Sequence, residues 1–231
     1  MYSQCVKFPK TSSGLRAHPS CLTSILTVSS RITPEFSLTA PAAAGLSALL
    51  GFLAEDPDVA DVRWAAYMLA TVRHECANRW LPLEEFGKGK GHAYGVPVTV
   101  TAPDGTTFTN TYYGRGYVQL TWKLNYAKMS NALGMNNDLL FHPEHALEPQ
   151  TSYKIMSFGM RNGNFTGKGL HTYIHDSTCD YLNARRIING LDQAPLIAGY
   201  ANKIENILRS HVQPATVQPV PAQPAAAARP F

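Results

Sequence analysis

A mainly α-helical fold with one small β-hairpin is predicted by three observations. Apolar residues recur every three or four positions in several segments, capping residues stand at the ends of those segments, and β-branched residues alternate around a single Pro-Asp-Gly turn.

The elements follow in chain order. Residues 1–34 hold Lys7, Lys10, Arg16 and Arg31, many hydroxyls and no acidic residue, which is the composition of a disordered basic arm. Leu46, Leu49, Leu50 and Leu53 fall at helical spacing, with Ser37 and Thr39 as candidate caps and Pro57 beyond the end, and predict a buried helix. The next helix is expected to start near Asp58 or Asp61. Its Val62, Ala65, Ala66, Leu69, Val72 and Cys76 share one face, and Glu75 projects from the flank of that stripe. After Pro82 the glycines at 87, 89, 91 and 95 mark a loop that carries Glu84 and Glu85. Val96 to Val100 and Thr106 to Thr111, around Pro103-Asp104-Gly105, form the predicted hairpin. Four further helices are expected over 122–133, 149–160, 178–189 and 196–209. Thr121, Pro149 and the Ser177/Asp180 pair start the first three, and Gly190 follows the third. From His211 the chain is rich in Pro, Ala, Gln and Val and reads as a flexible tail. The expected organisation is an arm over 1–34, a catalytic domain over 35–210 and a tail over 211–231.

With 231 residues, 45% hydrophobic and 16% charged, the chain can bury one large core or two unequal lobes. The net charge of +4 comes from the ends: between Glu35 and Ser210, 15 Lys and Arg face 16 Asp and Glu. A near-neutral body offers no basic face for nucleic acid. Cys5, Cys21, Cys76 and Cys179 are scattered, unlike a disulfide framework, and point to a reduced protein made in a cytoplasm. Cys21 to Val28 is too mixed with Thr and Ser for a secretory core, and no apolar run is long enough for stable membrane insertion.

The stretch from Tyr112 to Tyr126 reads as a polar ligand-holding loop running into a helix. Gly114 and Gly116 would let backbone approach a ligand, Gln119, Thr121 and Asn125 supply neutral donors and acceptors suited to sugar hydroxyl and acetamido groups, and Tyr113 and Arg115 of the same run are expected to bind substrate with them. Glycosidic hydrolysis needs a protonated carboxyl and, across a cleft, an ionised one. Glu75 and Glu85 are the candidate pair: burial would favour the protonated form of the first, and Lys88 and Lys90 the ionised form of the second. Spacing alone leaves open that Glu75 is a solvated helix residue and Glu84 and Glu85 are loop charges.

His74-Glu75, the Pro82 to Gly87 loop with Tyr94-Gly95, Tyr112 to Tyr126, Gly163-Asn164-Phe165-Thr166-Gly167, and Tyr181 with Ala184 to Gly190 occur in the order seen in family 19 glycoside hydrolases. Over residues 35–210 the chain resembles that family, and more narrowly its phage-type endolysins. The resemblance implies a lysozyme-like, two-lobed helical fold that cleaves β-1,4-linked N-acetylated sugar polymers with inversion, without metal or cofactor. Glu75 then matches the general acid, Glu85 most nearly the water-activating base with Glu84 as its rival, and Gln119, Thr121, Asn125 and Asn189 match substrate-binding positions. Cys76 departs from the Thr that commonly follows the His-Glu pair. Few cysteines and no chitin-binding module favour bacterial peptidoglycan over chitin as substrate. A monomer is expected, held in the host cytoplasm until a holin opens its way to the periplasm and wall. The alternatives are a chitinase and a catalytically inactive wall-binding module.

Other chemistries fit the sequence less well. A zinc peptidase would need a histidine where Asn78 stands. His171, His175 and Cys179 could align only on a continuous helix that Gly167 and Gly169 interrupt. Cys76, as nucleophile of an amidase, lies on an apolar stripe.

Overall fold

The computed structural model describes residues 19–211, with side chains over 25–210. Lys7, Lys10, Arg16 and residues 212–231 of the expected tail lie outside the described residues.

Seven helices and three two-stranded ladders make up the described chain. The first helix, α1 (Pro19–Glu35), corrects the expectation of a disordered arm to residue 34. Ile25, Val28 and Ile32 recur at helical spacing; Val28 and Ile32 are buried, and Ile25 packs against the same core. The hydroxyl-rich composition hides this stripe, because the serines and threonines occupy the helix's other positions. One of them bridges to the next helix, Ser29 Oγ lying 2.9 Å from Ser47 Oγ.

Helix α2 (Ala40–Glu55) starts after Thr39 and buries Leu46, Leu49, Leu50 and Leu53. It crosses the chain after α3 closely: a Cβ on Gly45 would sit 2.4 Å from the Trp80 carbonyl oxygen. Helix α3 (Val62–Glu75) is capped by Asp61, which accepts from the Arg63 amide at 2.9 Å. From Ala65 to Val72 every residue is buried, so α3 is the central helix and not the one-faced surface helix that its stripe suggests. It packs against α6 (Pro149–Asn162) and α7 (Ala194–His211), while α1 covers α2 and α7. Arg73 knots three of these elements: its guanidinium lies over the Tyr200 ring at 3.5 Å and the Phe36 ring at 4.3 Å.

A smaller lobe carries β1 (Leu83–Glu84), β2 (Val98–Thr101), β3 (Thr107–Asn110), β4 (Arg115–Gly116), α4 (Lys123–Ala132) and α5 (Asp138–Phe141). The predicted hairpin is β2 with β3, Val98 opposite Asn110. Strand β1 pairs with β4, Leu83 opposite Gly116, a contact between the glycine-rich loop and the Tyr112 run that local patterning does not show.

The helix expected over 178–189 does not form. Thr178–Cys179 is β6, paired with β5 (Ile174–His175), and a 3-10 turn covers Asn183–Ile187. Asp180 caps that short turn by accepting from the Asn183 amide at 3.0 Å. His171, His175 and Cys179 are therefore on separate exposed elements. No described helix is long and apolar enough to cross a membrane.

Candidate active site

Glu75 is the last residue of α3, where the helix yields to a tight descent through Ala77, Asn78 and Trp80, all with positive φ. Buried Trp80 and the bond from Asn78 Nδ2 to the Phe36 carbonyl (3.1 Å) hold this turn. The Glu75 carboxylate accepts from Arg185 Nη1 at 2.5 Å, and Arg185 is itself buried and donates from Nε to the Asp192 carbonyl at 3.1 Å. The helical stripe gives no sign of this partner, which comes from a segment 110 residues on.

Distant segments bring Arg185 there. Tyr181 stacks on Tyr67 of α3 at 5.6 Å and donates to Glu205 of α7 at 2.8 Å. Thr166, from the Gly163 to Gly167 run, donates to the carbonyls of Arg186 (2.6 Å) and Ile187 (3.1 Å). Asn189 follows one turn later, exposed, its amide on the Arg185 carbonyl.

Glu85 leaves β1 against Gly114. Its backbone amide donates to the Gly114 carbonyl (2.8 Å), and its carboxylate accepts from the Gly114 amide and the Tyr94 hydroxyl, both at 2.9 Å. Of the cations expected beside it, Lys88 pairs with Glu84 at 2.9 Å. Glu84 also accepts from the Tyr113 hydroxyl at 2.6 Å. That bond, and then the Lys88 ammonium, hold the Glu84 carboxyl below its ordinary range.

Residues 115–120 form a folded loop. Arg115 and Leu120 exchange backbone bonds, and within that loop Gly116 (φ 88°) and Gln119 (φ 54°) adopt left-handed conformations. Gln119 Nε2 donates to the carbonyls of Leu83 (3.0 Å) and Gly116 (3.1 Å). Thr121 and Asn125 are partly exposed beside it, Asn125 Nδ2 donating to the Thr121 carbonyl at 2.8 Å. The Tyr117 carbonyl lies 3.7 Å from the Cys76 thiol and the Gly114 amide donates to Glu85, so this run contacts both the end of α3 and the Glu85 carboxylate.

Three expectations are corrected here. Tyr113 and Arg115 are buried; Arg115 lies over the Tyr113 ring at 3.6 Å and spends Nη1 on the Thr111 carbonyl (3.1 Å) and the Tyr126 hydroxyl (3.1 Å). They brace the loop from beneath and present no open surface to a substrate. Gly114 and Gly116 admit the protein's own side chains and not a ligand: a Cβ would meet Gln119 Oε1 at 2.8 Å on the first and Ser152 Oγ at 2.7 Å on the second.

The sequence reading also misses an aromatic wall. His92 stacks on Tyr94 at 4.9 Å, and Tyr94 meets Trp122 edge-on at 5.1 Å. Trp122 is half exposed and has a φ of 76°, an unfavourable backbone for a bulky side chain. Its side chain stands beside the base candidate because Tyr94 donates to Glu85. The Tyr94 and Trp122 identities are in the sequence; their adjacency depends on the bond from the Tyr112 amide to the Tyr94 carbonyl and from the Trp122 amide to the Tyr112 carbonyl. Cys76 is fully buried, and burial raises its thiol pKa to about 12, the setting of a packing residue.

No family model and no curated protein matches the sequence. The architecture is similar to that of chitinase C from Streptomyces griseus HUT6037, with a TM-score of 0.51 and 22% identity over 86% of this chain and 98% of that one. This chain has the chitinase C fold. A bacterial family 19 chitinase aligns with a TM-score of 0.47 and 21% identity, over 82% of this chain and 85% of that one. The mainly helical, lysozyme-like fold class expected from the sequence is the one observed.

Proposed function

We propose that this protein is an endolysin-like glycoside hydrolase that cleaves β-1,4 bonds of bacterial peptidoglycan with inversion. The arrangement that supports the reading is Glu85 on the Gly114 amide and Cys76, next to Glu75, on the Tyr117 carbonyl of the same run, which carries Gln119 and Thr121 and leads into Asn125 of α4. Glu75, at a helix end, serves as the general acid. Arg185 holds the carboxyl in place through Oε1, the other oxygen carries the proton that passes to the leaving group, and the base takes up the proton lost by the attacking water. Glu85 activates the attacking water, oriented by the Gly114 amide and Tyr94 hydroxyl. Glu84, bonded to the Tyr113 hydroxyl and the Lys88 ammonium, is its rival for the role. Thr121, Asn125 and exposed Asn189 supply polar contacts to sugar, and the exposed Trp122 face offers an apolar surface for a pyranose ring.

A chitinase is the second reading, favoured by the name of the structure that shares this fold. Both are decided by incubating the protein with purified peptidoglycan and with chitin oligomers and analysing the products by mass spectrometry. New reducing ends on N-acetylmuramic acid support a muramidase, and cleaved peptides without new reducing ends defeat the glycosidase reading. Glu75→Gln keeps an acceptor for Arg185 and removes the proton donor. It should lower turnover by about 100-fold or more while wall binding persists, measured as turbidity loss against pelleting. Unaltered turnover would remove Glu75 from its role.

A further inference from the structure

We propose that His142, Glu144 and His145 form a binding site for one divalent transition-metal ion of the zinc class, separate from the sugar site and serving stability and not hydrolysis. One ligand atom from each lies within 4.8 Å of the others, the one His, Cys, Asp and Glu group with such spacing among the described residues.

The local backbone explains the convergence. Pro143 opens a 3-10 turn over Pro143–Leu147, and the His145 amide donates to the His142 carbonyl at 3.1 Å. With three residues per turn, side chains at i and i+3 eclipse, so the two imidazoles stand side by side. Their rings stack at 5.1 Å and 27°. Glu144 joins them, its Oε1 3.6 Å from His142 Nδ1. Ligand atoms about 2.0–2.1 Å from a tetrahedral ion are about 3.3 Å apart, so that pair needs only a few tenths of an ångström of adjustment. All three side chains are solvent-accessible.

The surroundings add what a histidine ligand commonly has behind it. Asp138 lies 2.7 Å from His145 Nδ1, fixing that nitrogen as the protonated one and leaving Nε2 to coordinate. Phe108 meets His142 edge-on at 5.1 Å and orients the other ring. Two imidazoles and a carboxylate suit zinc, cobalt, nickel or copper, whereas magnesium and calcium prefer oxygen alone.

The ion would tie together a segment that supports the sugar loop. Asn110 Nδ2 donates to the Phe141 carbonyl at 2.8 Å, and the Tyr112 hydroxyl donates to the Leu140 carbonyl at 2.7 Å. Bracing residues 138–145 therefore braces β3 and the start of the Tyr112 run.

The test is zinc chloride titration of the full chain by calorimetry and by thermal melting, with cobalt chloride as a spectroscopic probe. One zinc per chain should bind, raising Tm by about 5 °C at a hundredfold excess over Kd. Cobalt should show the intense visible bands of a four-coordinate site. Glu144→Gln should weaken zinc binding at least tenfold, Asp138→Asn by about 10- to 100-fold, and His142→Asn with His145→Asn should abolish it. If the double variant does not fold, Glu144→Gln, an exposed isostere, carries the same comparison. Equal zinc affinity in wild type and Glu144→Gln, or no saturable binding below about 1 mM, overturns the proposal. These readouts do not use activity, so they stand apart from the hydrolase reading.

Discussion

The most consequential contact of a single side chain is the one between Glu75 and Arg185. Each is partly or wholly withdrawn from water, and each would be costly alone: a partly buried carboxylate without its cation, or a buried guanidinium without its anion, loses solvation that nothing else returns. The helix end that presents the acid thus also requires the chain 110 residues on. Glu84 illustrates a different constraint. Its carboxyl is held below the ordinary range by the Tyr113 hydroxyl and then by Lys88. A folded value below the unfolded one means that its stabilising effect is complete above the ordinary carboxylate range and is lost as pH falls through the depressed value. Melting curves of the wild type and Glu84→Gln should accordingly differ at about pH 6 and converge as pH falls through the depressed value. A constant gap across that range would show that the ionised form of Glu84 contributes nothing.

Among the elements, the β1–β4 ladder does most to assemble the site, because it pins the Glu84-Glu85 loop to the Tyr112 run through two residue pairs only. Gly116 is its tightest point. Its φ of 88° disfavours any side chain, and a Cβ would press on Ser152 Oγ at 2.7 Å and the Ala146 carbonyl at 2.9 Å. Ser152 also receives the Tyr117 amide at 2.7 Å, so it cannot retreat without losing a buried bond. Gly116→Ala should cost about 1–3 kcal/mol, a fall in Tm of roughly 5 °C, read by thermal melting. A Tm unchanged from wild type would mean the ladder gives way locally. The 3-10 turn over Asn183–Ile187 does comparable work on the other side, where Thr166 and the Asp180 cap hold the geometry that an α-helix would have rotated away.

At the scale of the whole molecule, α1 belongs to the core. Val28 and Ile32 pack between α2 and α7, and burying such side chains contributes about 1.5–3 kcal/mol each. A chain lacking residues 1–34 should melt about 10 °C or more below the full chain, or not fold; equal melting temperatures would return this segment to the status of an appendage. Its position also ties the helical lobe to the acid, since Phe36, directly after α1, supports Arg73 and the turn beneath Glu75.

Features set by neighbours along the chain are legible from the residues alone. Leucine periodicity located α2, Asp61 capped α3, Pro149 opened α6, and the Pro-Asp-Gly turn marked the hairpin, because helix and turn formation obey local periodicity and capping. The candidate acids and the candidate sugar-binding residues are legible for the same reason, as short motifs. Only the tertiary structure decided the rest: that Arg185 meets Glu75, that Lys88 serves Glu84 and not Glu85, that Arg115 and Tyr113 face inward, and that Tyr94 and Trp122 form one wall. Those outcomes turn on contacts between segments far apart in sequence, where burial and hydrogen-bond satisfaction override local preference, as they do over 178–189.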